Sequence, residues 1–201
     1  MYRTLFFIIG LIILTFGVSL TIKADLGAGA WDALNVGLST EIGLTIGSWV
    51  IIVGLFLMLM NAYLLRTKPE YLALLTIMIV GALIDFWMLV ILKNFHLETL
   101  LLQIIVLVVG MVTVGLGAAI YLQPKYPLIP IDQFMLALKY RLKVNLMIAK
   151  TVAEIIALIL ALLVKGPIGI GTLIITFCMG PCIQVFYPYF EKWLNKLIKE
   201  A

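Results

Sequence analysis

Asp32 and Asp132 stand one hundred residues apart, each inside a weakly polar stretch between long apolar runs. A carboxylate in such a place can bind a cation, an amine or a proton. Trp31 and Asn35 flank the first and Gln133 the second, so the five form a candidate substrate-binding set. A simpler role stands beside it: Asp is a favoured helix N-cap, contributing about 1 kcal/mol and stabilised by the helix dipole. Further polar residues fall inside apolar runs: Asp85, Lys150, Glu154 and, at the position that matches Asp85, Gln184. Ionisable groups there are costly and usually face a bundle interior or a wet pathway. Lys150 and Glu154 are four residues apart, share a helix face and can neutralise each other. Asp32, Asp85, Asp132 and Glu154 against Lys150 favour cationic cargo or proton coupling over an anion.

Other chemistry finds little support. Cys178 and Cys182 lie four apart with no histidine nearby, and the single histidine, His96, falls in a loop. Gly166-Pro-Ile-Gly169-Ile-Gly171-Thr172 lacks the Lys-Ser/Thr of a phosphate-binding loop. No metal site, cofactor or catalytic constellation is expected, and an enzyme is the reading that fits least.

The elements that must hold these residues follow from composition. Of 201 residues, 64% are hydrophobic and 12% charged, with a mean hydropathy of +1.20. Soluble domains run about 45–50% apolar and about 25% charged. A chain this apolar cannot cover its own surface with polar groups, which leaves an all-α polytopic membrane protein. The net charge of +4 needs no nucleic acid, because basic residues flank membrane spans.

A bilayer core of about 30 Å takes about 20 helical residues. Six segments qualify: Leu5–Ile22, Leu44–Leu65, Tyr71–Leu92, Thr99–Leu122, Val144–Val164 and Pro167–Tyr187. The first is too long for the apolar region of a signal peptide and is read as a retained span. With a cytoplasmic N-terminus, the inner segments hold Arg3, Arg66, Lys68, Lys125, Lys139, Arg141, Lys143, Lys192, Lys196 and Lys199. The outer ones hold only Lys23, Lys93 and Lys165. That asymmetry places both termini in the cytoplasm.

The halves also resemble each other at an offset of 98–100 residues. Gly17 matches Gly115, Ile22 Ile120, Asp32 Asp132, Leu38 Leu138, Leu74 Leu173 and Gly81 Gly180. Each half has a span, a connector of about 20 residues with an Asp near its middle, then two spans. Residues 1–98 and 99–187 are thus read as 3+3 inverted repeats, an arrangement transporters use with sites at the repeat interface. The connectors, 25–43 and 123–143, begin with Gly- or Pro-rich sequence and continue as about ten helix-compatible residues. They are too apolar for aqueous loops. Each is read as a re-entrant coil plus a short helix returning to its own surface, where protein or a water cavity satisfies the backbone. Residues 188–201 are read as an amphipathic interfacial helix. Phe190, Trp193, Leu194 and Leu197 share one face, with Glu191, Lys192, Lys196, Lys199 and Glu200 elsewhere, where the lysines suit anionic lipid.

Leu26-Gly27-Ala-Gly-Ala-Trp31-Asp32-Ala-Leu34 resembles the "LG-x-x-PWD-x-L" signature of the YczE/YyaS/YitT group of bacterial membrane proteins. Pro130-Ile-Asp132, Glu154, Gly169-Ile-Gly171-Thr172 and Gly180-Pro181 resemble its second-half pattern. The resemblance covers roughly residues 10–187. Ala30 stands where proline is common, Lys150 near where arginine is expected, and Lys125, Tyr126 and Pro127 replace a glycine pair. The resemblance implies a bacterial cytoplasmic membrane location and names no substrate.

Sequence alone therefore points first to a small secondary transporter or channel-like permease for a small cationic or amine-bearing solute, or a proton-coupled cargo. Asp32 and Asp132 would be its central carboxylates, and Asp85, Lys150, Glu154 and Gln184 its intramembrane polar set. The alternatives are a membrane scaffold or regulatory partner, and the substrate-binding subunit of a larger importer. Its partners would be the bilayer and a small solute, and a homodimer or accessory protein is compatible.

Overall fold

The computed structural model describes residues 2–199, the last by its backbone alone. Among these residues there are helices and no strand: α1 (Tyr2–Lys23), α2 (Ala30–Ile42), α3 (Ile46–Leu65), α4 (Tyr71–Phe86), α5 (Leu100–Tyr121), α6 (Pro130–Leu142), α7 (Leu146–Leu163) and α8 (Ile170–Lys199). A π-helical turn, Trp87–Ile91, prolongs α4. All but α2 and α6 are long and apolar enough to cross a membrane, which gives six candidate spans.

Caps set the ends of the spans. Thr45 accepts from the Ser48 amide at 3.1 Å, Thr99 from Leu102 at 3.4 Å and Asn145 from Ile148 at 2.8 Å. These side chains satisfy amides that have no partner within the helix. The helices therefore start after Thr45, Thr99 and Asn145, one or two residues inside the boundaries expected from hydropathy. Gly43 and Leu44, both at positive φ, hold the turn before α3 out of the helix.

The largest difference from expectation is at the C-terminus. Residues 188–199 are not a separate helix: α8 runs on through Pro181 and Pro188. A proline inside a helix removes one hydrogen bond and costs about 3 kcal/mol, so packing must hold the segment. Leu194 is buried with Phe6 and Ile120, and Tyr2, Phe190 and Leu197 pack around them. The Trp193 ring meets Phe6 edge-on at 5.3 Å. Of the apolar face expected to meet lipid, Leu194 is buried and Phe190 and Leu197 are partly covered, while Trp193 stays 54% exposed. Glu200 and Ala201 lie outside the described residues.

The chain divides into two compact units, and each draws on both halves of the sequence. The first contains Met1–Gly29, Phe86–Tyr126 and Gly169–Ala201. In it α1 and α5 cross in antiparallel fashion with glycines at the contact. A Cβ on Gly10 would lie 2.5 Å from the Tyr121 nitrogen, and one on Gly17 2.5 Å from the Val114 nitrogen. A Cβ on Gly117 would lie 2.9 Å from the Gly10 carbonyl oxygen, and one on Gly110 3.1 Å from that of Gly17. Small residues let backbones approach this closely, which is how helices associate in lipid. Thr15, Ser19 and Thr21 are buried beside this contact, and each hydroxyl donates to a carbonyl three or four residues back. The Trp87 indole donates to the Thr15 hydroxyl at 3.1 Å, which ties the π-turn to α1.

The second unit contains Ala30–Asp85 and Pro127–Ile168. Here α2 packs on α7 and α3, and α6 packs on α3 and α7. Ala149, Ala153, Ala157 and Ala161 form a buried stripe along α7, so a helix can lie close to it.

Candidate functional site

The second unit brings Asp32 and Asp132 to one neighbourhood. Each sits in the first turn of its short helix, α2 and α6, and the two helices have 13 residues each. Neither is the cap residue. α2 begins at Ala30, and α6 is preceded by Ile129, which makes no side-chain cap. Both aspartates are third helical residues, where the helix dipole still favours a negative charge. The two N-terminal turns meet through Trp31 and Phe134, whose rings stand edge-to-face at 6.0 Å. Trp31 is buried inside the protein.

α7 carries the third carboxylate. Glu154 adjoins the alanine stripe, and its charge acts on Asp32. Asp132 and Lys150 both lie within electrostatic reach of Glu154. The four groups thus form one charged cluster, held by packing of α2 and α6 on α7. Burial, and then the Glu154 carboxylate, push the Asp32 carboxyl from 3.8 up to about 7. A carboxyl tuned this way can take up or release a proton near neutral pH.

Beside this cluster are two buried polar atoms with no hydrogen-bond partner, the Trp31 indole nitrogen and the Asn35 side-chain oxygen. They lie four residues apart on α2, hence on one helical face. Leaving such a group unpaired costs about 1–3 kcal/mol, and a native protein that keeps it calls for an explanation. One donor and one acceptor next to a charged cluster are what a polar solute needs for orientation.

Three of the sequence-derived residues do not join this cluster. Gln133 donates to the Glu70 carboxylate and lines a separate cleft with it. Asp85 accepts from the Thr45 hydroxyl at 2.5 Å and from the Gly47 amide at 2.8 Å, so it closes the N-terminus of α3. Gln184 belongs to the other unit and is exposed on α8. Asn61 is a residue that the sequence reading missed. It is 3% exposed and donates to the Pro130 carbonyl at 2.9 Å. Its only signal in the sequence is a lone amide in an otherwise apolar span.

The Gly169-Ile-Gly171-Thr172 motif has a structural use. The Gly171 amide donates to the Leu26 carbonyl at 2.7 Å, and a Cβ on Gly27 would lie 2.8 Å from the Gly169 Cα. The glycines let the start of α8 lie against the non-helical connector before α2, within the first unit.

The chain is 42% identical over 190 residues to "Uncharacterized protein YyaS" of Bacillus subtilis, covering 94% of each chain. It is 33% identical over 197 residues to "Uncharacterized membrane protein YczE" of the same organism, covering 96% of this chain and 89% of the relative. No solved structure matches it. Residues 1–188 match the family of unknown function DUF6198. With six helices able to cross a bilayer and such relatives, the chain is a multi-pass membrane protein that belongs to the DUF6198 family.

Proposed function

We propose that the protein is a small secondary transporter or channel-like permease. Its cargo is a small cationic or amine-bearing solute, or one moved with a proton. The observation that carries this reading is the Asp32, Asp132, Glu154 and Lys150 cluster, gathered beside two unpaired buried polar atoms. Asp32 and Asp132 would hold the cation, with Trp31 and Asn35 orienting it. Glu154 would share the proton, with Lys150 holding its charge.

An inverted repeat underlies the proposal. Left-handed residues recur at the repeat spacing: Asp25 and Lys125, Gly43 and Lys143, Arg66 and Lys165. So do the caps Thr45 and Asn145. Exchanging the halves turns the packing of α2 on α7 into that of α6 on α3, and both are present. It likewise turns the Gly10–Gly117 contact into Gly110–Gly17. The antiparallel run of α1 and α5 fits an odd number of turns across the bilayer between them. That follows if α3 and α4 cross and α2 returns to its own side. Two-fold related half-helices with the site between them are a transporter arrangement.

The bias of basic residues supports a cytoplasmic placement of both termini, in the cytoplasmic membrane of a bacterium. Lys192 and Lys196 are exposed on the last turns of α8 and suit anionic lipid. A scaffold role is less well supported: the glycine and alanine faces that could recruit another helix are already buried by this chain's own helices.

The test is uptake by proteoliposomes from a panel of amines, cations and amino acids. Saturable uptake by the wild-type chain, lost in Asp32→Asn and Asp132→Asn while both stay folded, supports the reading. A folded wild-type protein that moves nothing above background ends it.

A further inference from the structure

The second unit holds a cleft of about 460 Å³ apart from the carboxylate cluster, lined among others by Asn61, Thr67, Lys68, Glu70, Leu128 and Gln133. Its polar lining is dominated by acceptors. Asn61 donates its amide N–H to the Pro130 carbonyl, and a carbonyl can only accept, so the orientation of this amide is fixed. Its oxygen is also buried without a partner. Gln133 donates to one Glu70 oxygen, which leaves the amide oxygen of Gln133 and the second oxygen of Glu70 able to accept.

The repeat-related place, in the first compact unit, differs in a way that accounts for the cleft. There Gly27 and Gly169 bring two backbones together. A hundred residues on from Gly27 the chain has Pro127, and ninety-nine before Gly169 it has Glu70. Neither residue permits that close approach, and Glu70 adds a charge.

We propose that this cleft binds a primary ammonium carried next to an anionic group. The N–H donors of an ammonium match the oxygens of Asn61, Gln133 and Glu70, and a carboxylate supplies the charge-assisted bond. Lys68, at the rim, faces the neighbouring phosphate or carboxylate. The ligand is either a soluble zwitterion or the headgroup of an ethanolamine lipid. The inference needs only binding and stands apart from the transport reading.

The experiment is thermal unfolding of the full-length protein. In detergent it is titrated with O-phosphoethanolamine and, separately, with tetramethylammonium, which has no N–H to donate. In parallel the protein is placed in phosphatidylcholine nanodiscs with and without phosphatidylethanolamine. Saturable stabilisation by O-phosphoethanolamine supports a soluble ligand; stabilisation only in the ethanolamine-lipid discs supports a headgroup. In either case Glu70→Gln weakens binding about tenfold, the loss of one charge-assisted hydrogen bond, and Gln133→Leu weakens it too. Glu70 is exposed, so its variant folds and keeps the test decisive where Asn61→Leu does not. Loss of the stabilisation in Asp32→Asn, with Glu70→Gln unaffected, assigns the ligand to the carboxylate cluster instead and overturns the proposal, so the two readings are told apart. No stabilisation in either arm, an equal response to tetramethylammonium, or unchanged binding in both cleft variants overturns the proposal.

Discussion

Asp85 reaches from α4 to the first turn of α3 and accepts the Gly47 amide at 2.8 Å. Its other oxygen takes the Thr45 hydroxyl, so one carboxyl closes a helix end through a neighbouring helix. Hydrogen bonds to a charged group contribute about 1.5–3 kcal/mol. Asp85→Ala is expected to lower stability by about that much, and Asp85→Asn by less, because the amide oxygen can still accept from Gly47. Thermal unfolding in detergent reads the difference. Equal stability of Asp85→Ala and wild type would remove the capping role.

The α1–α5 crossing makes a second prediction. A Cβ on Gly117 would press on the Gly10 carbonyl oxygen at 2.9 Å and on the Leu14 backbone, and backbone cannot yield as a side chain can. At Gly54 the nearest atom is a methyl group of Ile77, at 3.0 Å. Gly117→Ala should therefore destabilise by about 1–3 kcal/mol, and Gly54→Ala by clearly less. Parallel melts of the two variants would show the order, and the reverse order would contradict the packing.

Stability should depend on pH through Asp32. Folding raises its carboxyl from 3.8 to about 7, so between those values the native state holds a proton that the unfolded state has released. That contribution is full below 3.8 and is lost as pH rises through about 7. Apparent melting temperature is expected to rise on going from about pH 8 to about pH 5.5. Asp32→Asn should flatten part of the slope. A wild-type profile that falls over this range, or a variant with the wild-type slope, would show that Asp32 does not titrate this way.

Asn35 offers a separation of folding from function. Its side-chain oxygen is buried without a partner, so Asn35→Leu, which keeps the branched shape and number of heavy atoms, removes an uncompensated desolvation cost. The variant is expected to melt at or above the wild-type temperature and to lose solute uptake. Stability bought at the expense of activity marks a functional polar group. A variant that transports normally would make Asn35 structural.

Much of this was legible in the sequence. The spans were visible because hydropathy over about 20 residues decides them, and α2 and α6 because their charge and Gly-Pro content break the apolar runs. Asp32, Asp132 and Glu154 stood out as charges in apolar surroundings, and the structure gathers them. Asn61 was missed because one neutral amide barely alters the hydropathy of α3. Gln133 was set with Asp132 because they are neighbours in sequence, yet successive helical residues diverge by about 100°, and its side chain goes to Glu70. The helix through Pro188 was hidden as well. Nothing local announces that Phe6 and Ile120 will cover Leu194.

Because each compact unit takes helices from both halves, the order of synthesis matters. α1 leaves the ribosome before α5, whose glycines fit against it and which is made about a hundred residues later. At about 5–20 residues per second, α1 waits of the order of 5–20 seconds with its small-residue face covered only by lipid or by a passing chaperone. A ribosome stalled after α4 would leave in the membrane a fragment with neither unit complete. Such a fragment would still present the small-residue face of α1 that α5 covers in the complete unit.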